Sequence, residues 1–189
     1  MPKDMVFTPV ARSLITGKSP VAGTASLNQA EEFGTLNLRL VDVTASAAAA
    51  KALGVEVPEK ANTFASNGSV TVLWLGPDEW MVQAPRETIA DLQAALEAAL
   101  SGQHAAVTEV SDHSVAMVLS GANARRILEK GCPLDLHPRI FGPGQCAQSH
   151  FLQAVILLAQ LDQDLYLLRV RRSMSEYLWD ALADAIAKG

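Results

Sequence analysis

Two cysteines and two histidines lie within twenty residues of one another and have the chemistry of metal ligands. They are Cys132, His137, Cys146 and His150. Thiolate and imidazole are ligands that zinc prefers, but structural zinc sites usually pair ligands across a short, regular knuckle. Here the spacing within each Cys and His pair is irregular, and Pro133 and Pro138 stiffen the path. The pattern therefore favours two buried free thiols with unrelated histidines over a zinc site.

Asp112 and His113 are adjacent and form a second candidate for chemistry. A carboxylate beside an imidazole can fix its tautomer and raise its pKa, as a general base requires. Adjacent residues rarely direct both side chains to one point, however. An entry into a helix or strand that is capped by Ser111 or Asp112 is the favoured alternative.

Arg169, Arg171 and Arg172 end a leucine-rich run. The two-residue period of a strand places Arg169 and Arg171 on the same face. This basic cluster predicts either a solvated edge that discourages strand pairing or a surface that meets a carboxylate-rich partner, and the sequence does not separate the two.

The common signatures of enzymes are missing from the sequence. It contains no Gly-x-Gly-x-x-Gly turn, no phosphate-binding loop that ends in Gly-Lys-Ser/Thr, no His-Glu-x-x-His and no Gly-x-Ser-x-Gly elbow. Nucleotide-binding, zinc-protease and serine-hydrolase functions therefore lose their usual support.

Composition indicates a globular protein. The chain has 189 residues, of which 49% are hydrophobic and 19% charged, enough to bury a stable core. A formal net charge of -5 argues against nonspecific binding to nucleic acid or to anionic lipid. The longest apolar run, 154–159, is too short to span a membrane, and the first residues do not resemble a secretory signal, so we expect a cytoplasmic protein.

The order of predicted elements indicates an α+β protein with two lobes. Residues 1–34 lack a sustained period and are expected to form an extended arm. Residues 35–104 predict a β-α-β-β-α lobe, and residues 105–189 predict a second lobe of the same ferredoxin-like order, each with an antiparallel sheet. An ungapped match of 70–100 with 156–186 suggests an internal duplication, although two amphipathic hairpin-helix units can also look alike by chance.

The 131–150 segment and the last helix both carry apolar residues, and each segment has two interpretations. Residues 131–150 lack a clear period, and so long a loop is either functional or a packed surface loop. On the last helix, Trp179 widens the apolar stripe beyond what one sheet face needs, which indicates either an interface or a partly buried core margin.

Several spaced motifs, in order, resemble the gamma subunit of heterotetrameric sarcosine oxidase. The resemblance covers the chain from about residue 70 to the end. It is carried by 73–80 (LWLGPDEW), 112–113 (DH), 119–121 (LSG), 131–138 (GCPLDLHP), 144–148 (GQCAQ), 171–173 (RRS) and 177–179 (YLW).

The resemblance implies a non-catalytic subunit of a complex that oxidises sarcosine to glycine and passes the one-carbon unit to tetrahydrofolate. It implies that FAD, FMN, NAD and tetrahydrofolate belong to the alpha and beta subunits, zinc to the delta subunit, and no cofactor or metal to this chain. The implied fold is that of the folate-binding domain of the glycine-cleavage T-protein. The alpha subunit is then the chief partner, with beta and delta in the same complex.

Given such a partner, we expect the contact to involve the 131–150 loop, the corner formed by Arg171 and Arg172, and the N-terminal arm. The predicted partner-binding residues are Pro133, Leu134, His137, Phe141, Arg171, Arg172 and Trp179. Exposed apolar surface without a partner favours self-association of the isolated chain. The alternative function is a stand-alone folate or one-carbon module, in which Trp80, Asp112 and Arg172 would form the ligand site.

Overall fold

The computed structural model describes residues 14, 15 and 17–189 of the chain, which contain eleven β-strands and four α-helices. The strands are β1 Val21–Ala22, β2 Ser26–Gln29, β3 Phe33–Leu40, β4 Phe64–Ser66, β5 Thr71–Gly76, β6 Glu79–Pro85, β7 Ala105–Glu109, β8 Ser114–Ser120, β9 Cys146–Phe151, β10 Ala154–Asp162 and β11 Leu165–Arg171. The helices are α1 Val43–Leu53, α2 Ile89–Ala99, α3 Ala124–Glu129 and α4 Ser175–Ala187.

The strands form two antiparallel sheets that face each other. One sheet has six strands in the order β1-β2-β8-β11-β10-β9, and the other has five in the order β4-β5-β6-β3-β7. A small apolar cluster lies between the sheets and joins Leu73 of the five-stranded sheet to Leu157 and Leu167 of the six-stranded sheet. Side chains alternate along each strand, so the same strands also supply an outward apolar face.

Helices cover both outward faces. Alanine and leucine side chains of α1 and α2, such as Ala45 and Leu96, pack on the five-stranded sheet. The inner stripe of α4, with Leu178 and Leu182, packs with α3 on the six-stranded sheet. The result is four layers, helix, sheet, sheet and helix, and the predicted α+β class with two antiparallel sheets is confirmed. None of the helices in this described portion has the length and apolar character needed to cross a bilayer.

The N-terminal region differs from the predicted extended arm. Residues 1–13 and Thr16 lie outside the described residues, but β1 and β2 belong to the six-stranded sheet, where Leu27 stands opposite Leu119 of β8. Leu27 is fully buried. A four-residue strand with so little apolar periodicity leaves no clear sequence signal, because its pairing depends on β8, which lies about ninety residues later.

Three other strands also differ from expectation. β7, which the sequence analysis placed with the second lobe, pairs with β3 of the five-stranded sheet. β4 is an additional strand that the predicted β-α-β-β-α order of the first lobe does not include, and β9 occupies the end of the 131–150 segment, so the irregular loop there ends at Gln145. Both β4 and β9 lie at sheet edges, where one neighbour is enough to hold a short strand.

The predicted duplication agrees with the element boundaries. β5, β6 and α2 begin at Thr71, Glu79 and Ile89, and each has a counterpart that overlaps it after 86 residues, in β10, β11 and α4. The register of the β5-β6 pair shifts between Trp74 and Gly76, and that of the β10-β11 pair shifts between Gln160 and Asp162, which is the same offset. A shared irregularity of this kind is unlike chance amphipathic similarity.

Candidate functional site

A buried arginine lies between the two sheets. Arg169 is on the inward face of β11 and is only 4% exposed. Its Nη1 donates to Oε1 of Gln83 at 2.9 Å, and its Nε and Nη2 donate to Oγ of Ser114 at 3.2 and 3.0 Å. Since Gln83 belongs to the five-stranded sheet and Ser114 to the six-stranded one, the guanidinium ties the two sheets together.

The environment of this arginine is electrostatically unusual. Burial lowers the pKa of Arg169 to about 10, because low-dielectric surroundings disfavour the charged form. Both of its hydrogen-bond acceptors are uncharged. The site therefore holds a desolvated cation with neutral partners.

An open groove of about 370 Å³ lies beside Arg169 at one end of the interface between the sheets. Apolar side chains line both walls, with Leu75 and Met81 from the five-stranded sheet and Val155 and Leu157 from the six-stranded sheet. Polar groups are also present at the groove, and they are Asn37, Glu79, His113, Ser114, Gln148, Arg169 and Arg171. The groove thus combines apolar walls with cationic side chains from β11.

Asp112 and His113 do not act on a common point. Asp112 accepts from Nη2 of Arg86 at 2.8 Å, and this hydrogen bond and the carboxylate charge raise the pKa of Arg86. His113 instead lines the groove. The favoured capping alternative also differs from the structure, because Ser111 forms no cap here: its hydroxyl accepts from the Thr35 N–H and donates to Glu109.

The cysteines and histidines considered for zinc lie in different environments. Cys132 is in the core under α3 and α4, whereas Cys146 is in the layer between the sheets, with its thiol directed to the carbonyl oxygens of Thr63 and Trp74. Burial raises the pKa of the Cys146 thiol to about 11. Across residues 14, 15 and 17–189, no group of three His, Cys, Asp or Glu side chains is arranged to hold a metal ion.

The loop from Gly131 to Gln145 is held by its own side chains. Leu136 and Phe141 are buried in the core beneath it. On its outer side, the Asp135 carboxylate accepts from the His137 N–H, and His137 Nδ1 accepts from the Arg139 N–H. The loop is therefore a packed surface loop with an ordered polar outer side.

The predicted partner-binding residues divide into two groups. Phe141 and Trp179 are 6% and 3% exposed and belong to the core of the six-stranded sheet, so their side chains are used within the chain. The other five retain solvent-accessible surface, and they are Pro133, Leu134, His137, Arg171 and Arg172. Of the seven predicted residues, these five keep side-chain surface that is accessible from outside the chain.

The three residues considered for a folate site are not brought together. Trp80 lies in the core under α1 and α2 and donates from Nε1 to the Pro58 carbonyl. Asp112 and Arg172 line a cavity of about 40 Å³, which is room for about one water. A larger cleft of about 620 Å³ between the sheets adjoins this cavity, shares Phe33 with it and is also lined by Phe64.

Sequence reasoning missed Gln83 and Ser114 as parts of the site. Gln83 of β6 faces the layer between the sheets, and its neighbours Val82 and Ala84 face the helices on the other side of the same sheet. A polar residue within such a strand is a signal that could have been used, although it does not identify the partner. The contact with Arg169 spans 86 residues of sequence and depends on how the sheets pack.

Comparisons with known proteins agree with one another. The family model of the sarcosine oxidase gamma subunit family matches residues 39–188. Two curated relatives, from Corynebacterium sp. strain P-1 and from an Arthrobacter species, are both named sarcosine oxidase subunit gamma. They are 33% and 32% identical over 169 residues, which covers 88% of this chain and 82% of each relative.

Solved structures give a similar result. A chain of the heterotetrameric sarcosine oxidase from Corynebacterium sp. U-96 superposes with a TM-score of 0.86 and 29% identity, over 94% of this chain and 95% of that one. The glycine cleavage system aminomethyltransferase T from Bartonella henselae has a TM-score of 0.65 and 15% identity, over 86% of this chain and 46% of that one. The second likeness concerns the fold alone.

Proposed function

Because this chain belongs to the sarcosine oxidase gamma subunit family, we propose that it is the non-catalytic gamma subunit of a heterotetrameric sarcosine oxidase. In this proposal it acts in assembly and stability, and the oxidation of sarcosine to glycine takes place in the other subunits. The observation that carries the proposal is the nearly full-length superposition on a chain of a heterotetrameric sarcosine oxidase.

The proposed mechanism is thermodynamic. A subunit that binds only the folded form of its neighbours stabilises them by mass action. FAD, FMN, NAD and tetrahydrofolate would be bound by the alpha and beta subunits, and alpha would be the chief contact. The cytoplasmic location also stays a prediction from the sequence.

We place the contact on the exposed side of the 131–145 loop and on the corner formed by Arg171 and Arg172. His137 is exposed on that loop, and Ile140 beside it is 58% exposed. An exposed apolar side chain next to a rigid polar turn is a suitable element of a protein interface. The residues of the arm that lie outside the described part of the chain are included in this proposal only as an expectation from the sequence.

The test is expression of the remaining subunits with and without this chain. We expect less assembled oxidase, lower flavin content per protein and a lower Tm when the chain is omitted. Equal yield, flavin content and Tm of the active complex without the chain would contradict the assembly role.

A pair of histidine variants tests the proposed contact. His137→Glu places a charge on the loop, and His104→Glu is the matched control because His104 is also exposed but precedes β7 of the other sheet. We expect co-purification with the other subunits to fall for His137→Glu and to be unchanged for His104→Glu. Equal yields for both would remove the loop from the contact.

The cleft of about 620 Å³ keeps the stand-alone folate module as a second candidate, since its volume is in the range of small-molecule sites. Its aromatic lining by Phe33 and Phe64 suits a flat ring. Calorimetric titration of the isolated chain with tetrahydrofolate separates the two functions. The gamma-subunit proposal expects no saturable heat, and the folate module expects saturation near one equivalent.

A further inference from the structure

The buried guanidinium of Arg169 has no carboxylate to neutralise it within the part of the chain that the structure describes. Its only polar partners there are the neutral Gln83 and Ser114. Removing a cation from water without a counter-charge costs several kcal/mol, and buried charges in proteins are normally paired. The arrangement is unusual for a side chain that serves structure alone.

One side of Arg169 faces the 370 Å³ groove, which is open to solvent. Arg171 is two residues further along β11, on the same face of the strand, and is exposed at the groove. A ligand that enters this groove therefore meets Arg171 first and Arg169 deeper between the sheets. The apolar walls, with Leu75 and Leu157, would exclude water from such a ligand and strengthen its interaction with the cations.

The carboxylate that lines the groove already has hydrogen-bond and ion-pair partners. Glu79 is the carboxylate that lines it, and its two oxygens accept from Arg39 at 2.7 Å and from Asn37 at 2.7 Å. On the other side of Arg169, Glu31, Glu32 and Asp112 line a separate cavity of about 40 Å³, and Asp112 is paired with Arg86. None of these carboxylates, nor Glu79, forms an ion pair with Arg169, so the groove retains an excess of positive charge on its β11 side.

We propose that this groove receives the carboxylate of an Asp or Glu side chain from an adjoining subunit, with Arg169 at its base and Arg171 at its mouth. The inference rests on the proposed function and names the chemistry of the contact. Charge complementarity indicates an acid, and a guanidinium is suited to hold a carboxylate through two hydrogen bonds. Val155 at the same groove is 53% exposed, which favours a polypeptide segment over a small ion as the occupant.

The experiment compares three full-length variants for binding to the purified remaining subunits. Arg169→Met and Arg171→Met each remove one cation of the groove, and Arg126→Met is the control because Arg126 is exposed on α3. We expect dissociation constants at least about tenfold higher for the two groove variants, since loss of one member of a desolvated charge pair weakens a complex strongly. The control is expected to bind within about twofold of the unmodified chain.

The possible outcomes lead to different conclusions. Should Arg169→Met fail to fold, as judged by circular dichroism, the exposed Arg171→Met decides alone. Groove variants that bind as tightly as Arg126→Met overturn this inference and leave the proposed function intact, whereas an unmodified chain that binds no other subunit overturns the proposed function. Acetate is the probe for a small ligand, and acetamide is its uncharged control. Saturable binding of acetate alone, together with unchanged affinity of both groove variants for the other subunits, would show a site for small carboxylates and overturn the docking contact.

Discussion

Apart from the extra edge strand β1, the two sheets have the same spatial order of equivalent strands, but they take one strand from opposite directions along the chain. In the five-stranded sheet, β7 follows α2 and pairs with β3. In the six-stranded sheet, the equivalent place beside β8 is taken by β2, which precedes the whole unit in sequence. The comparison shows that the position of a strand in a sheet depends on the hydrophobic face that the strand helps to cover. A segment from either the N-terminal or the C-terminal side of the lobe can occupy that position.

The lobes also differ at equivalent inward positions of their hairpins. Gln83 of β6 corresponds to Arg169 of β11, 86 residues later, and the two side chains hydrogen bond to each other across the interface between the sheets. In a symmetric duplication this contact would join two identical residues. Here one lobe supplies the amide of Gln83 and the other the guanidinium of Arg169, so the pair is asymmetric. At this pair of equivalent positions, only the second lobe carries a positive charge.

The largest expected effect tests the strand taken from the N-terminal side. Leu27 of β2 is fully buried, whereas Val107 of β7 is half-buried. We expect Leu27→Ala to lower the free energy of unfolding by about 3 kcal/mol and Val107→Ala by about 1 kcal/mol. Guanidinium denaturation measures both. Equal losses would mean that β2 contributes no more to its sheet than β7 does.

The next effect tests the asymmetric pair. Gln83→Ala removes the acceptor for Nη1 of Arg169 and leaves part of a buried guanidinium unsatisfied, so we expect a loss of about 2 kcal/mol in the free energy of unfolding. Gln93→Ala is the control, since Gln93 donates a hydrogen bond to Glu97 on the surface of α2, and it should change stability by less than about 0.5 kcal/mol. A Gln83→Ala variant as stable as the control would show that the bond between the sheets is not required.

Much of this fold can be predicted from the sequence where local signals are strong. The hairpins and their helices follow from alternating strands and helical spacing, and β11, Leu165–Arg171, is the leucine-rich run that the arginines end. Short strands such as β2 and β4 are missed because their stability comes from neighbours that are distant in sequence. The same reason explains why β7 was grouped with the wrong sheet.

The candidate site is less predictable than the fold. Arg169 and Arg171 could be placed on one face by the two-residue period of a strand, and the structure shows both at the groove. The burial of Arg169 and its bond to Gln83 could not be predicted, because both depend on the packing of one sheet on the other. Trp179 shows the reverse case, since a wide apolar stripe on a helix predicts burial but not whether the cover is its own chain or a partner.

The pH dependence of stability tests a buried thiol in the layer between the two sheets. Cys146 of β9 faces the layer between the sheets, where Phe64 of β4 lies in the other lobe. Burial raises the pKa of the Cys146 thiol to about 11 in the folded chain, above its ordinary value of 9.0. The folded state therefore keeps its proton longer, and stability from this group is complete below pH 9 and falls as pH rises toward 11.

The expected loss from this thiol at pH 10 is roughly 1 kcal/mol. We expect the free energy of unfolding to fall less steeply between pH 8 and about 10 for Cys146→Ala than for the unmodified chain. Cys132→Ala keeps Cys146 and is the matched control, so it should retain the steeper fall. Identical slopes for all three proteins would show that the Cys146 thiol does not titrate differently on folding.

The smallest effect concerns the first helix of each lobe. Asp42 precedes α1, and its Oδ1 accepts from the Ala45 N–H at 2.8 Å, whereas Asn123 precedes α3 without a side-chain cap. Asp42→Ala is expected to cost about 1 kcal/mol and Asn123→Ala only a few tenths, because just one of them removes a bond to an otherwise unpaired helix N–H. Asp42→Asn keeps an acceptor oxygen but removes the charge, so urea denaturation of all three variants separates the hydrogen bond from the interaction with the helix dipole.

If Asp42→Asn is as destabilising as Asp42→Ala, the charge and not the bond stabilises α1. If Asp42→Ala and Asn123→Ala lose equally little, the two lobes do not differ at these helix starts and packing against the sheet alone fixes both helices.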